Sequence, residues 1–342
     1  MKKKIYVVSW NGVSNAGGVE RVTQFLLSAW ENEYDVEVID YLKLEKNKIA
    51  KSLLHKHHVM DAIIASLYMR QLKRKDPDCK VVIQGFNCPF VKADLAIAHG
   101  SMRGYKLAMG DKRWHLNQLF EKIGMNHADR VVAVSNTAKN EITRLYGVDP
   151  AKVIVIENCV DTDNFFPINR QEDGCCKILF AGRLEDGKGI QKVLELAMYI
   201  EKMDNYRMLI ATNNSENIEL FKNLKNTEIY VGLNAKKMNE FYNSGNVLFF
   251  PSKYEGFELV TLEALATGIP IVGRNVGAIG DLYSRKYKGV KLVGASNEEN
   301  LAIINKLYHN YLELDTRMEL HNNVERDFSI EKYKEKIKEL WK

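Results

Sequence analysis

Tyr254-Glu255-Gly256-Phe257-Glu258-Leu259-Val260-Thr261-Leu262-Glu263 follows the apolar run Val247–Phe250 and precedes another, Ile269–Val272. Both runs have the length and residue types of buried strands, and the quoted segment reads as a loop running into a helix. Glu255 would sit at the loop mouth and Glu263 within the helix, so the two carboxylates address opposite ends of one ligand. Leu259 and Val260 lie at the helix start, where backbone N–H groups without intrahelical partners and the helix dipole favour an anion such as a phosphate. A carboxylate that accepts from two neighbouring hydroxyls suits Glu263 to a ribose. An ordinary acidic helix start would use the same residues, and the segment alone leaves both readings open.

Outward from this segment, short strand-like runs alternate with helical patterns along the whole chain, the signature of parallel sheets wrapped by helices. The first half holds Ile5–Ser9, Val36–Asp40, Val81–Gln84, Leu95–Ala98, Arg130–Val134 and Val153–Ile156, with a helix such as Val19–Trp30 between strands. The series restarts after Pro167: residues 168–176 are polar and are expected to form a hinge, and Lys177–Ala181, Met208–Ala211 and Glu228–Val231 follow as strands. The length, 342 residues, suits two domains. In open α/β sheets ligands bind at the carboxyl ends of the strands, so two such domains are expected to line a cleft.

Composition narrows the function. Of the residues, 46% are hydrophobic and 27% charged, a globular mixture that excludes a disordered or fibrous chain. Lys2-Lys3-Lys4 before Ile5–Val8 is a first strand rather than a secretory leader, because Ser9, Asn11 and Gly12 interrupt the apolar run. No stretch approaches the roughly 20 apolar residues of a membrane span, which points to the cytoplasm. The five cysteines form no C-x-x-C pair and are expected to be reduced. Residues 1–170 hold 25 basic and 19 acidic side chains, and the excess is densest from Lys43 to Lys75. That stretch reads either as a basic amphipathic helix on the inner face of the cell membrane, lying on an anionic leaflet, or as a solvated helix face. It carries no nucleic-acid-binding motif, so nucleic acid is not an expected partner.

Three further places could carry chemistry. Gly17-Gly18-Val19-Glu20-Arg21 opens a helix after the first strand, and its glycines serve either a tight turn or the close approach of an anion. It is not the G-x-G-x-x-G dinucleotide fingerprint. Gly182-Arg183 and Lys188-Gly189 follow the first strand of the second half; Arg183 and Lys188 suit a diphosphate, or Arg183 makes a local contact with a glutamate in a solvated loop. His99 ends the Leu95–Ala98 strand, as a structural histidine or as one facing the cleft. Asp161-Thr162-Asp163 has the D-x-D form of a metal site but belongs to the segment before the hinge, and no metal is expected there.

In this order the glycine loop, His99, Ala128-Asp129-Arg130-Val131-Val132-Ala133-Val134-Ser135, Val160-Asp161-Thr162-Asp163-Asn164-Phe165, Gly182-Arg183 with Lys188-Gly189, and Glu255 and Glu263 with seven residues between them resemble the family 4 retaining glycosyltransferases of the GT-B fold. The resemblance runs over nearly the whole chain, and the Glu255–Glu263 spacing, followed by Gly268-Ile269-Pro270, is its most specific part. It implies two Rossmann-like doubly wound domains facing a central cleft: residues 1–167 on the acceptor side, 168–326 binding a nucleotide sugar, and 327–342 as a helix crossing back to the first domain. The donor set implied is Gly17, Gly18, Arg183, Lys188, Glu255, Glu258, Leu259, Val260 and Glu263; the catalytic set is His99, Glu255, Arg183 and Lys188. The activity implied is retaining transfer of a hexose from a nucleoside-diphosphate donor to a saccharide or lipid-linked saccharide in surface polysaccharide synthesis, with no metal and no cofactor. A non-catalytic GT-B scaffold or acceptor-binding subunit is the alternative. Three positions depart from the family's pattern: Glu258 where a small residue is common, Cys159 for a glycine, and Thr212-Asn213-Asn214 in place of Gly-Asp-Gly.

Overall fold

Residues 2–13, 17–170 and 173–341 are described by the computed structural model. The chain divides into two compact units, Met1–Asn158 with Glu331–Lys342, and Cys159–Ile330.

In the first unit the elements run β1 (Lys4–Val8), α1 (Gly18–Trp30), β2 (Asp35–Ile39), α2 (Tyr41–Leu44), α3 (Lys48–Leu53), α4 (His58–Lys75), β3 (Lys80–Gln84), β4 (Leu95–Ala98), α5 (Met102–Ala108), α6 (Leu116–His127), β5 (Arg130–Ala133), α7 (Asn136–Tyr146) and β6 (Val153–Val155). The strands form one parallel sheet in the order β2-β1-β3-β4-β5-β6. A parallel sheet with helices on both faces buries its strands on both sides, which is why Ile5–Val8, Val81–Gln84 and Leu95–Ala98 are buried throughout. The stretch Lys43–Lys75 is not one basic amphipathic helix. Left-handed backbone at His55 (φ 65°) separates α3 from α4, and Arg70 and Lys73 of α4 donate to the carbonyls of Phe90 (2.9 Å) and Lys92 (3.0 Å).

The second unit runs β7 (Cys176–Ala181), α8 (Ile190–Ile200), β8 (Tyr206–Thr212), β9 (Thr227–Val231), α9 (Ala235–Asn243), β10 (Val247–Phe250), α10 (Leu259–Ala266), β11 (Ile271–Gly273), α11 (Gly277–Ser284), β12 (Val290–Leu292), α12 (Asn297–Asn310) and α13 (Leu314–Phe328). Its parallel sheet has the order β12-β11-β10-β7-β8-β9. The strand order reverses between β7 and β10, which pair directly, so their carboxyl ends open the crevice where doubly wound sheets bind ligands. The edge strand β12 was not expected from the sequence, since three residues in a polar context leave no period to read.

The units part at Asn158, nine residues before the expected boundary after Pro167. Residues 159–170 pack into the second unit. Val160 pairs with Ser329, the amides of Phe166 and Ile168 donate to the side chains of Asn239 (3.2 Å) and Asn243 (2.8 Å) on α9, and Arg170 donates to the Asn243 carbonyl (3.1 Å). Of the polar residues expected to form a hinge, Arg170 thus satisfies a carbonyl at the end of α9; Gln171 and Glu172 lie outside the described residues. The last helix, α14 (Ile330–Glu339), leaves the second unit at its first residue. Within the first unit, the Leu340 carbonyl accepts from Arg130 (2.6 Å) and Trp341 packs between Trp30 and Lys80.

Candidate functional site

The loops that leave β7 and β10 emerge side by side and are locked to each other. Gly189 has φ +76°, and a Cβ there would stand 2.2 Å from the Pro251 carbonyl oxygen, so a side chain is excluded both by backbone conformation and by space. The Gly187 carbonyl accepts from Ser252 Oγ (3.0 Å) and from the Lys253 amide (2.9 Å). Across this seam Lys188 Nζ meets Glu255 Oε1 at 2.5 Å, with side-chain exposures of 21% and 10%. The same carboxylate oxygen accepts from Ser252 Oγ (2.7 Å), and the ammonium lies 5.9 Å from the centre of the Phe250 ring. A cation and a carboxylate so shielded from water interact more strongly than a surface pair, and both are held at the strand ends.

Glu258 has a different place from the one expected. Its carboxylate is buried and accepts from the amides of Ala278 and Ile279 (3.0 Å each) and from Thr261 Oγ1 (2.7 Å). It therefore closes the amino end of α11, taking N–H groups that a ligand anion would otherwise use. Burial, with the neighbouring Glu255 charge adding to it, pushes its pKa up to about 7. The start of α10, with Leu259 and Val260 as its first residues, follows directly on the loop that leaves β10.

Glu263 lies farther along α10, buried, with Oε2 accepting from the hydroxyl of Tyr242 on α9 (2.8 Å). Arg183 follows β7 as expected, but its side chain is 62% exposed and paired with Glu185 Oε1 (2.9 Å), the local contact that composition favours. Lys188, rather than Arg183, is the cation built into the seam.

In the first unit the structure joins two expected features. His99 Nε2 lies 2.8 Å from Gln84 Oε1. Gln84 Nε2 donates to Thr23 Oγ1 (2.7 Å), which donates to the Val19 carbonyl (2.8 Å) in the first turn of α1. With the Gln84 amide so oriented, the imidazole donates from Nε2 and is neutral, and burial holds its pKa down at about 4. Gly17 is extended (φ −153°), and among the described residues a Cβ at Gly18 would meet nothing within 4 Å. Neither glycine is there for a tight turn; the preceding Ser14, Asn15 and Ala16 lie outside the described residues.

Ser252, Tyr242 and Gly277 were not singled out from the sequence. Gly277 (φ +52°) carried a usable signal, a glycine opening a helix after a strand, but its reason is spatial: a Cβ would lie 2.2 Å from Glu258 Oε2. Asp161 Oδ1 accepts from the amides of Asp163 and Asn164 (3.2 Å each) and shapes a turn. Among the described residues no group of three His, Cys, Asp or Glu side chains is placed to hold a metal ion, and no helix is long and apolar enough to cross a membrane.

Two family models cover nearly the whole chain: Glycosyltransferase Family 4 matches residues 16–164 and Glycosyl transferases group 1 matches residues 161–327. The chain belongs to the family 4 glycosyltransferases of the GT-B fold. Among curated relatives, the amylovoran biosynthesis glycosyltransferase AmsD of Erwinia amylovora is 24% identical over 287 residues, 77% of this chain and 78% of its own. A glycogen synthase of Mycobacterium tuberculosis is 26% identical over 215 residues, 60% of this chain and 51% of its own, so the chain spans about half the length of that relative. Of solved structures, sucrose-phosphate synthase from Thermosynechococcus elongatus superposes with TM-score 0.80 at 16% identity, covering 99% and 98% of the two chains. HepE of Anabaena, solved in complex with UDP-glucose, superposes with TM-score 0.70 at 14% identity and covers 98% of each.

Proposed function

We propose that this family 4 member is a retaining, metal-independent glycosyltransferase that moves a hexose from a nucleoside-diphosphate donor to a saccharide or lipid-linked saccharide acceptor in polysaccharide synthesis. The observation that carries the reading is the shielded Lys188–Glu255 pair, set at the reversal of strand order beside the start of α10. A pyrophosphate placed there meets Lys188 and the N–H groups of Leu259 and Val260, while Glu255 is left to accept from hydroxyls of the transferred sugar. Glu263 takes the ribose, and Arg183 exchanges Glu185 for phosphate oxygen. A UDP-glucose complex of a structural neighbour supports a nucleotide sugar as the donor class.

As the bond between the anomeric carbon and the phosphate oxygen breaks, negative charge gathers on the leaving diphosphate. Lys188, Arg183 and the α10 start stabilise it in the place a divalent ion would take. The acceptor oxygen bonds to the same face of the anomeric carbon, and its proton passes to the departing phosphate oxygen, so no protein nucleophile is required. Neutral His99, an acceptor at Nδ1, orients a sugar hydroxyl rather than donating a proton. Among the described residues none crowds a Cβ built on Gly18, which suits its backbone to the close approach of a ligand.

A thermal-shift panel of uridine, guanosine and deoxythymidine sugar nucleotides in EDTA tests this. A donor at 100 times its Kd stabilises the folded form by about 2.7 kcal/mol. One feature favours the scaffold reading, the solvent-exposed Arg183; a panel in which no nucleotide raises the melting temperature decides for it.

A further inference from the structure

Close to His99 in the first unit, a buried carboxylate on α6 takes no part in the proposed reaction. Glu121 Oε2 accepts from the Met102 amide (2.7 Å) and from the Tyr146 hydroxyl (2.5 Å), and that hydroxyl in turn accepts from the Arg103 amide (3.0 Å). Met102 and Arg103 are the first residues of α5 and follow His99 by three and four positions. Burying a carboxylate is costly unless its oxygens are satisfied, and both donors given to this one lie on, or hold, the segment that leaves β4.

The other oxygen lies against the neighbouring strand exit. A Cβ built on Gly85 would stand 3.6 Å from Glu121 Oε1, and the Gly85 amide donates to the Ile97 carbonyl of β4 (3.0 Å). Gly85 directly follows Gln84, whose Oε1 lies 2.8 Å from His99 Nε2. One carboxylate thus reaches the chain just beyond both members of the Gln84–His99 pair. The start of α5 is tied down independently: Ser101 Oγ accepts from the Gly104 amide (2.8 Å), and a Cβ on Gly104 would stand 2.3 Å from a Glu141 carboxylate oxygen of α7.

Nearby cations are engaged elsewhere. Arg103 turns its guanidinium to the Arg113 carbonyl (2.9 Å) and lies 4.7 Å from the Trp114 ring centre, Lys122 Nζ lies 6.0 Å from the same ring, and Arg70 of α4 donates to the Phe90 carbonyl (2.9 Å). Tyr146 and Glu141 are the titratable groups that face Glu121 from α7, and the His99 ring at the end of β4 is turned to Gln84. Burial pushes the Glu121 carboxyl up to about 7, with the Glu141 charge adding to it and the Tyr146 and Met102 donors opposing it. Ionised, it holds both donors by charge-assisted bonds; protonated, it holds them less firmly.

We propose that Glu121 is a positioning residue for the transfer reaction, setting the place of His99 at the end of β4 through the Met102 and Arg103 amides and Tyr146. The inference rests on the role given above to His99, a neutral ring that orients a sugar hydroxyl, and names the group that holds the ring in place. Misplacing such a ring by about 1 Å is enough to lower turnover, so the loss of a positioning group falls on kcat rather than on donor KM.

NMR of the full chain with labelled histidines, followed across neutral pH, tests this without any substrate. The His99 ring signal, assigned by its loss in His99→Gln, is expected to move with a midpoint near 7, although the ring itself protonates only near 4. Glu121→Gln, which keeps an acceptor oxygen but cannot ionise, should abolish that movement. Tyr146→Phe, which removes a donor from the carboxylate, should carry the midpoint to higher pH. The signals of the other histidines report whether each variant is folded. Turnover is read as UDP released from UDP-glucose: Glu121→Gln should lower kcat about tenfold with little change in KM, and should remove the rise in rate as pH climbs through 7. Added to His99→Gln it should bring no further loss, because it acts through that ring. A His99 signal that stays flat, a midpoint unmoved by Tyr146→Phe, an unchanged kcat, or losses that multiply in the double variant overturns the proposal. If UDP-glucose is not turned over at all, the enzymatic reading is what falls, and the NMR result still decides whether Glu121 sets the His99 ring.

Discussion

A methyl group on residue 277 should loosen the donor loops from a distance. In Gly277→Ala the new carbon would stand 2.2 Å from Glu258 Oε2 and 2.6 Å from the Glu255 Cβ, far inside van der Waals contact. The left-handed backbone there (φ +52°) costs an L-residue a further ~1–2 kcal/mol. To make room Glu258 must give up one or both amides of α11, and above pH 7, where its carboxylate is ionised, hydrogen bonds to a charged group contribute about 1.5–3 kcal/mol each. Partial relaxation leaves a net loss of about 3–5 kcal/mol, or about 10 °C in Tm for a unit of this size. Chemical denaturation and scanning calorimetry measure it, and donor KM should rise as Glu255 is displaced. Glu258→Ala removes the obstructing carboxylate, so the double variant should be destabilised by less than the sum of the single variants. If Gly277→Ala unfolds at the unaltered midpoint, or the two effects simply add, the placement of Glu258 described above is wrong.

Two titrations should oppose each other. His99 takes a proton below about pH 6.5 in the unfolded chain but only near 4 in the fold, so it makes stability fall as pH drops from 6.5 toward 4, and His99→Gln should remove that slope in pH-dependent denaturation. Glu258 keeps its proton in the fold up to about pH 7 while the unfolded chain releases it near 4.5, so it makes stability fall as pH rises through that window, and Glu258→Gln should flatten it. Buried Arg317 donates to the carbonyls of Ile168 (2.9 Å) and Thr267 (3.1 Å) and to Asn243 Oδ1 (2.6 Å). Arg317→Met takes the donor from the two carbonyls, while Asn243 Oδ1 keeps the Ile168 amide, and should lower unfolding free energy by about 3 kcal/mol or more, read by urea denaturation.

The alternation of strands and helices was legible because buried parallel strands are short β-branched runs set off by polar loops. The same logic failed at β12, which is three residues long, and at Lys43–Lys75, where composition carries no sign of the breaks after Leu44 and Leu53. Glu255, Glu263 and Lys188 could be nominated from spacing, since a strand end followed by a helix start fixes their neighbourhood. What each one touches could not. Whether Glu258 faces a ligand or caps α11 depends on a helix nineteen residues onward, and Ser252 and Tyr242 join the site through Gly187 and Glu263, partners distant in sequence. The unit boundary was misread for a related reason: polar residues after Pro167 suggest a linker, but Asn239 and Asn243 hold the preceding segment to α9.

Calorimetric titration of a sugar nucleotide into the chain and into Lys188→Ala, both in EDTA, probes the diphosphate site itself. The unaltered chain should bind without a divalent ion, and the loss of Lys188 should weaken binding by about tenfold or more. Equal affinity in the two proteins, or binding that appears only when a divalent ion is restored, would contradict a cationic side chain doing the work of a metal at this site.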